Sequence, residues 1–408
     1  KDEHGASSIG ALVSPHSTLE ELYLAGALMR GVGSESIDYR LRNADFAATP
    51  GARYLGTSIA SLSQMQRMLV VGSNLRKDHP LFAQRIRQAV KMGCTVNVLN
   101  EQAQDWAMPI ANLVTAPSAQ WLQALADVAA AVAAEKGVPS PVAGNATPDA
   151  VVIAKSMLSG ERKSILLGNA AAHHAQASAL LGVANWIAVQ SGATVGYLTE
   201  ACNTVGAQLA GAMPGAGGLN AGQMTTGQLK AVVLLNNEPA YDCAGGAAAV
   251  QNLGKAEMVV TMSPFKANME FSDVLLPIAP FTETPGTFVN AEGRVQSFHA
   301  VVRPLGETRP AWKVLRVLAN MLDVPGFAFE SSQDVLAYMH KDNGGVPEQV
   351  PASALSNAAS LPSAITAASG SPAVAAMYQL DSIVRRAPSL QLTADARVFS
   401  SSGEKVLS

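Results

Sequence analysis

Short unbroken apolar runs recur along this chain, each followed by a polar loop and then a stretch with helical spacing. Residues 68–72 (MLVVG) lead into a loop at 73–80, a helix-length segment near 81–92 and a second run at 95–99. Residues 164–168 (SILLG) repeat the pattern with a loop from Asn169, a helix near 175–191 and a run at 194–198. Residues 231–235 (AVVLL) repeat it again, with a loop at 236–242, a helix near 246–252 and a run at 257–261. Runs of Val, Ile and Leu about five residues long, alternating with helices, are what strands buried on both faces of a parallel sheet require. The pattern predicts doubly wound α/β domains, in which ligand crevices open beyond the carboxyl ends of the strands. The Asn-bearing loops fall at those ends.

Other elements fill in around this repeat. Residues 9–13 read as a strand, and 19–30 carry apolar positions at helical spacing, with Gly31 as the expected C-cap. Residues 121–136 predict an Ala-rich helix closed by Gly137 and Pro139. From 345 to 375, Pro347, Pro351, Pro362 and Pro372 are interleaved with Ala and Ser, which predicts a linker or a loosely packed tail. The segment 374–397 reads as a helical start with a short extended end.

Composition narrows the function classes. The 408 residues are 48% hydrophobic and only 14% charged, with a formal net charge of -3, so the chain has ample core and no electrostatic footprint for nucleic acid. Between Ser164 and Leu229 the only charged side chain is Glu200. Gly and polar residues interrupt that stretch, so it reads as a buried α/β segment and not as a membrane span. The chain starts at Lys1 without a signal peptide pattern and enters a strand almost at once, as expected of a piece of a longer cytoplasmic protein. Cys94, Cys202 and Cys243 lie far apart and read as small buried hydrophobes, not as a disulfide framework. His173 and His174 are adjacent, so on a helix they point about 100° apart and are poorly placed to chelate one ion. The glycines at 211, 215, 217 and 218 lack the G-x-G-x-x-G spacing after a strand, which argues against dinucleotide binding.

The most distinctive run is 271–296, FSDVLLPIAPFTETPGTFVNAEGRVQ. Its hydroxyl, amide and carboxylate groups stand among glycines that let backbone approach a planar ligand, though a surface hairpin uses the same residue types. This run resembles the signature of the molybdopterin oxidoreductase superfamily. Residues 71–93 (VGSNLRKDHPLFAQRIRQAVKMG), 203–218 (NTVGAQLAGAMPGAGG) and 236–242 (NNEPAYD) resemble other superfamily segments in the same order. The wording SNLRKDHP and NNEP, with the opening at 11–42, is most similar to the large iron-sulfur subunit of bacterial NADH-quinone oxidoreductase, respiratory complex I.

That resemblance implies an α/β fold of the formate dehydrogenase/DMSO reductase type. Residues 1–45 and 231–345 would form one discontinuous domain, 46–230 an inserted one, and 346–408 a linker and tail. It implies a vestigial pterin-type crevice at Asn236, Glu238, Thr282, Glu283, Gly286, Thr287, Asn290, Glu292 and Gly293. In metal-bearing relatives a segment like 36–45 carries the metal ligand; here that position falls near Ala44, with Asp45 beside it, and an alanine methyl cannot coordinate a soft metal. The run 203–218 keeps its glycines without any Arg or Lys to meet phosphates. A cluster needs about four closely spaced Cys ligands, so iron-sulfur clusters are expected in an N-terminal portion outside this chain.

The implied role is a noncatalytic scaffold without its own metal or molybdopterin, contacting other peripheral-arm subunits on the cytoplasmic face of a bacterial inner membrane. The implied alternative is a molybdopterin-dependent oxidoreductase resembling formate dehydrogenase, with 282–292 in its cofactor crevice. A third reading gives the crevice some other small anion or nucleotide.

Overall fold

The computed structural model describes residues 1–401; residues 402–408, the end of the expected tail, lie outside the described residues. The chain opens with β1 (Ile9–Val13), α1 (Leu19–Gly31) and the two-residue β2 (Ile37–Asp38). It then builds a separate sheet from β3 (Arg67–Val71), α2 (Pro80–Lys91), β4 (Thr95–Asn100), β5 (Asn112–Thr115), α3 (Trp121–Lys136), α4 (Pro148–Leu158), β6 (Lys163–Leu167), α5 (Ala177–Ser191) and β7 (Thr194–Tyr197). It returns through α6 (Thr204–Leu209) to β8 (Ala231–Leu235), α7 (Gly246–Leu253), β9 (Met258–Ser263) and β10 (Val274–Pro277). A hairpin of β11 (Gly286–Val289) and β12 (Val295–Phe298) follows, then α8 (Ala311–Met321) and α9 (Ser332–Met339).

Both sheets are five-stranded and wholly parallel, in the orders β10-β9-β8-β1-β2 and β5-β4-β3-β6-β7. This is the doubly wound α/β architecture the apolar runs predict. In the first sheet the strand order reverses between β1 and β8, and in the second between β3 and β6. Each reversal opens a crevice beyond the carboxyl ends of the strands, because the crossovers on either side leave in opposite directions. Strands β3, β4 and β6 are buried nearly end to end, which is why their sequences are continuous apolar runs and do not alternate.

Helix α1 shows how local chemistry positions this frame. Thr18 caps it, accepting from Glu21 N while the Glu21 carboxylate accepts from Thr18 N. The helix runs one residue past the expected end and is capped at Val32. Glu20 and Glu21 are both buried, and Glu20 takes the N–H and hydroxyl of Thr287, pinning the hairpin to the helix. Burial pushes the Glu21 carboxyl up to about 7, against the Thr18 N–H that favours its charge and with the neighbouring Glu20 raising it further. Its folded pKa lies above the ordinary 4.5, so the charged form costs stability that is absent below about pH 4.5 and grows as pH rises through 7. Glu21→Gln keeps the cap's oxygen and the side chain's shape. It is expected to be about 2–3 kcal/mol more stable than wild type near pH 8, with most of that gain gone by about pH 5. Urea titrations at the two pH values read this directly.

The segment after 345 departs from a loosely packed linker. Ala52 N donates to Ala354 O and Ser356 N to Ala52 O, each at 2.9 Å. Asn357 then bridges two elements, donating to Tyr54 O (3.0 Å) and Val195 O (2.8 Å) and accepting from Tyr54 N (3.1 Å). Farther on, Ala368 N donates to Ala119 O, and Arg385 and Arg386 reach the loop after β8. The end of the segment is helical, not extended: Asp381 caps Ser382–Arg385 through Ile383 N and Val384 N, and Pro388 opens Pro388–Gln391. Backbone carbonyls and isolated polar side chains hold this segment, which is why its sequence carries no apolar period.

Candidate functional site

One crevice collects the carboxyl ends of both sheets. It holds about 1040 Å³ of space, its open mouth included, and takes Ser14–His16 from the end of β1, Tyr39–Asn43 from beyond β2, Asn169–His173 from beyond β6, Tyr197–Glu200 from β7 and Asp242 from beyond β8. Each group arrives there because a parallel strand ends and its chain turns outward, so strand ends from both sheets face the same space.

Arg42 is the electrostatic centre. It is 7% exposed and reaches Glu200 at 2.8 Å, Asp242 at 2.9 Å and the Tyr241 carbonyl at 3.1 Å. The other oxygen of Glu200 lies 3.4 Å from His173 Nε2, while His173 Nδ1 donates to Ala373 O at 2.7 Å. Asp242 also receives Arg385 on both oxygens, and Arg386 grips both oxygens of Glu238. Arg385 and Arg386 lie over the rings of Tyr241 and Phe265. Burial alone would raise the Glu200 carboxyl, but Arg42 and then His173 outweigh it and hold the group well below the usual carboxylate range. Burial also pushes His16 below its ordinary pKa, against the pull of Asp381, Glu200 and Asp242. Its Nε2 finds no partner among the described residues.

The residues expected in a pterin-type crevice are placed otherwise, and none of them lines this space. Asn236 adopts a φ of 52° at the end of β8, and Glu238 is buried under Arg386. Thr282 and Glu283 sit on a surface loop, where Glu283 accepts from Leu305 N. Gly286 and Thr287 pack against Thr18 and Glu20 on α1. Asn290 and Gly293 form the turn of the hairpin, with Asn290 accepting from Glu292 N and Arg294 N, and Glu292 holds Ile59 N at 2.6 Å. Glu283, Asn290 and Glu292 thus satisfy backbone groups, and Thr287 ties the hairpin to Glu20. Ala44 is exposed and does not line the crevice, while its neighbour Asp45 lines it and accepts from Ala47 N and Ser178 N.

Sequence reasoning passed over Glu200 and Asp242 as a pair. The signal was there: one carboxylate in a long uncharged stretch must find a cation when it is buried. His173 and His174 diverge as expected, His174 bonding Ser118 O and stacking on Trp121. Cys94 and Cys243 are buried, but Cys202 is exposed, which corrects its reading as a buried hydrophobe; its Sγ lies 3.9 Å from His16 Nδ1. No helix among the described residues is long and apolar enough to cross a membrane.

The molybdopterin oxidoreductase family profile matches residues 1–321. Among curated proteins, the probable oxidoreductase YjgC of Bacillus subtilis (strain 168) is 25% identical over 409 residues, covering 82% of this chain and 41% of that protein. A putative formate dehydrogenase of Staphylococcus aureus (strain bovine RF122 / ET3-1) is 46% identical over 52 residues, 13% of this chain and 5% of that protein. The chain thus spans well under half the length of these relatives.

Two solved structures share the fold. Acetylene hydratase from Pelobacter acetylenicus has a TM-score of 0.52 at 13% identity, over 84% of this chain and 59% of its own. The formyltransferase/hydrolase complex (FhcABCD) from Methylorubrum extorquens, in complex with methylofuran, has a TM-score of 0.54 at 16% identity, over 77% of this chain and 91% of its own. Their names span hydration and formyl transfer, so this architecture by itself does not specify redox chemistry. With a profile match over most of its length, doubly wound sheets and a shared crevice at their carboxyl ends, the chain belongs to the molybdopterin oxidoreductase family.

Proposed function

We propose that this chain is a noncatalytic scaffold: part of the large iron-sulfur subunit of the peripheral arm of bacterial NADH-quinone oxidoreductase. In that enzyme electrons pass from NADH to quinone through iron-sulfur clusters carried outside these residues. The observation that carries this reading is the crevice's internal neutralisation. A pterin dinucleotide brings phosphates and needs free cations and open glycine cradles. Arg40 is spent on Asp38 and Arg42 on Glu200 and Asp242, while Arg53, the third arginine on the crevice, is turned to the Ala358 and Ser356 carbonyls. A Cβ on Gly215 or Gly218 would meet Glu35 at 2.2 Å, and one on Gly168 would meet Ser73 at 2.3 Å, so these glycines serve close packing of the chain on itself. Ala44, near the position where metal-bearing relatives are expected to supply a ligand, has only a methyl group to offer. These residues do not fit a metal-bound pterin, and no catalytic step is assigned to one.

The scaffold role puts the chain on the cytoplasmic face of the inner membrane, against other peripheral-arm subunits. Metal analysis of the purified full-length protein tests it, with molybdenum and tungsten expected far below one per chain. Near-stoichiometric metal overturns the reading, as does a complex lacking this segment that assembles and transfers electrons from NADH to quinone normally.

The second reading, a molybdopterin-dependent oxidoreductase resembling formate dehydrogenase, draws on the names of the relatives and on the size of the crevice. Near-stoichiometric molybdenum or tungsten in the same analysis is the outcome that favours it.

A further inference from the structure

The segment 373–397 is folded on itself and held to the rest of the molecule by charge. None of its side chains joins the hydrophobic clusters that make up the core among the described residues, and Val374, Ile383 and Leu392 stay exposed. Its bonds are largely internal. Asp381 caps Ser382–Arg385, and the Gln391 amide donates to Tyr378 O (2.8 Å) and Val384 O (2.7 Å). Among the described residues no backbone-to-backbone hydrogen bond ties the segment to either sheet. Just before it, Gly370 is exposed at φ 74° with nothing within 4 Å of a Cβ position, while Ala368 N is still fixed on Ala119 O. An open glycine pivot thus separates anchored chain from this segment.

Its main attachment is a cradle of two like halves. Arg385 lays Nη1 and Nη2 on the two oxygens of Asp242 (2.9 and 3.1 Å), with its guanidinium 4.9 Å from the Tyr241 ring. Arg386 lays Nη1 and Nη2 on Glu238 (2.6 and 3.2 Å), 4.5 Å from the Phe265 ring. A carboxylate beside an aromatic face selects a guanidinium over an ammonium, because only the planar fork bonds both oxygens and stacks. Without the segment, Glu238 has no cation beside it among the described residues, and Asp242 is left sharing Arg42 with Glu200. The cradle then carries excess negative charge that another arginine pair neutralises.

We propose that residues 373–397 form a removable strap, which undocks from this cradle as a unit while both sheets stay folded, and that the uncovered cradle accepts an arginine pair presented by another segment. Docked, the strap closes one side of the crevice, since Leu380 lines that space and Ala373 O takes His173 Nδ1 at 2.7 Å. A self-bonded segment with few buried apolar contacts opens at a smaller cost than strands buried on both faces. The inference goes beyond the scaffold reading and does not depend on it, because it needs neither a metal nor a ligand in the crevice.

The test is binding of a labelled peptide of residues 373–397 to the full-length protein, read by fluorescence anisotropy at fixed ionic strength. The docked strap competes with the peptide. Wild type is therefore expected to bind it at least about tenfold more weakly than the double variant Arg385→Gln/Arg386→Gln, whose own strap is loosened. A peptide with Gln at both arginine positions is expected to bind that variant about a hundredfold more weakly, and one with Lys at both about tenfold. Equal affinity of the two proteins, or of the arginine and glutamine peptides, overturns the proposal. Hydrogen exchange on the wild type decides it should the variant fail to fold. The Leu390 and Gln391 amides, both bonded to Ala387 O, are expected to exchange at least about a hundredfold faster than those of β3 and β8, and excess peptide to speed them further without touching the strands. One common rate for strap and strands, or no response to the peptide, overturns it as well.

Discussion

Arg42→Met is expected to destabilise the protein by about 3–5 kcal/mol at neutral pH, the cost of leaving buried charge without its partner. Among the described residues Arg42 alone bonds both Glu200 and Asp242, and it does so from β2's loop across to segments of both sheets. Asp242 keeps Arg385, so most of the loss falls on Glu200, left with His173 alone. In the wild type the folded Glu200 pKa is depressed below 4.5, so its contribution is present above that value and lost as pH falls through the folded pKa. In the variant burial dominates and raises the same pKa, so acid relieves the penalty. The stability gap between the two proteins should therefore narrow from pH 7 toward about pH 5. Adding Glu200→Gln should recover a good part of the loss, because a neutral buried pair is often as stable as a charged one. Urea denaturation at both pH values measures all of this, and a loss under about 1 kcal/mol for Arg42→Met would mean the pair is solvated.

The strands were the legible part of this molecule. A parallel strand buried on both faces leaves no choice of residue, so 231–235 announces itself and β8 follows within the same bounds. The crevice was legible as a place, since the loops after the strands had to face it, but not as a set of groups. Glu292 illustrates why: its carboxylate looks like a ligand beside Gly293, yet it holds Ile59 N across 233 positions of chain, a pairing no local pattern records. The same applies to Asn357, whose amide joins the 52–56 segment to β7, and to Arg385 and Arg386, whose acids precede them by more than a hundred residues. Family resemblance pointed at the 282–293 run because relatives share it. In this chain that run anchors α1 and the loop before β3.

Gly196→Ala is expected to cost about 2–4 kcal/mol, more than its chemistry suggests. Gly196 sits in β7, at the edge of its sheet, where residues 54–56 lie directly against it. A Cβ there would fall 1.7 Å from Leu55 O and 2.2 Å from Leu55 C, and one on Gly56, at φ 73°, would fall 2.0 Å from Val195 O. Both contacts are with backbone, so no rotamer change relieves them and the strand and the crossing segment must part. Parting them strains Tyr197 N on Tyr54 O and the Asn357 bridge, and it withdraws Leu55, fully buried in the core beneath β3 and β4. The gain from replacing a strand glycine, up to about 1 kcal/mol, does not offset that. Gly192→Ala is the matched comparison: it stands at φ 73° with nothing within 4 Å, so it should cost only about 1 kcal/mol of left-handed backbone strain. Equal stability of the two variants would show that the 54–56 crossing is loose.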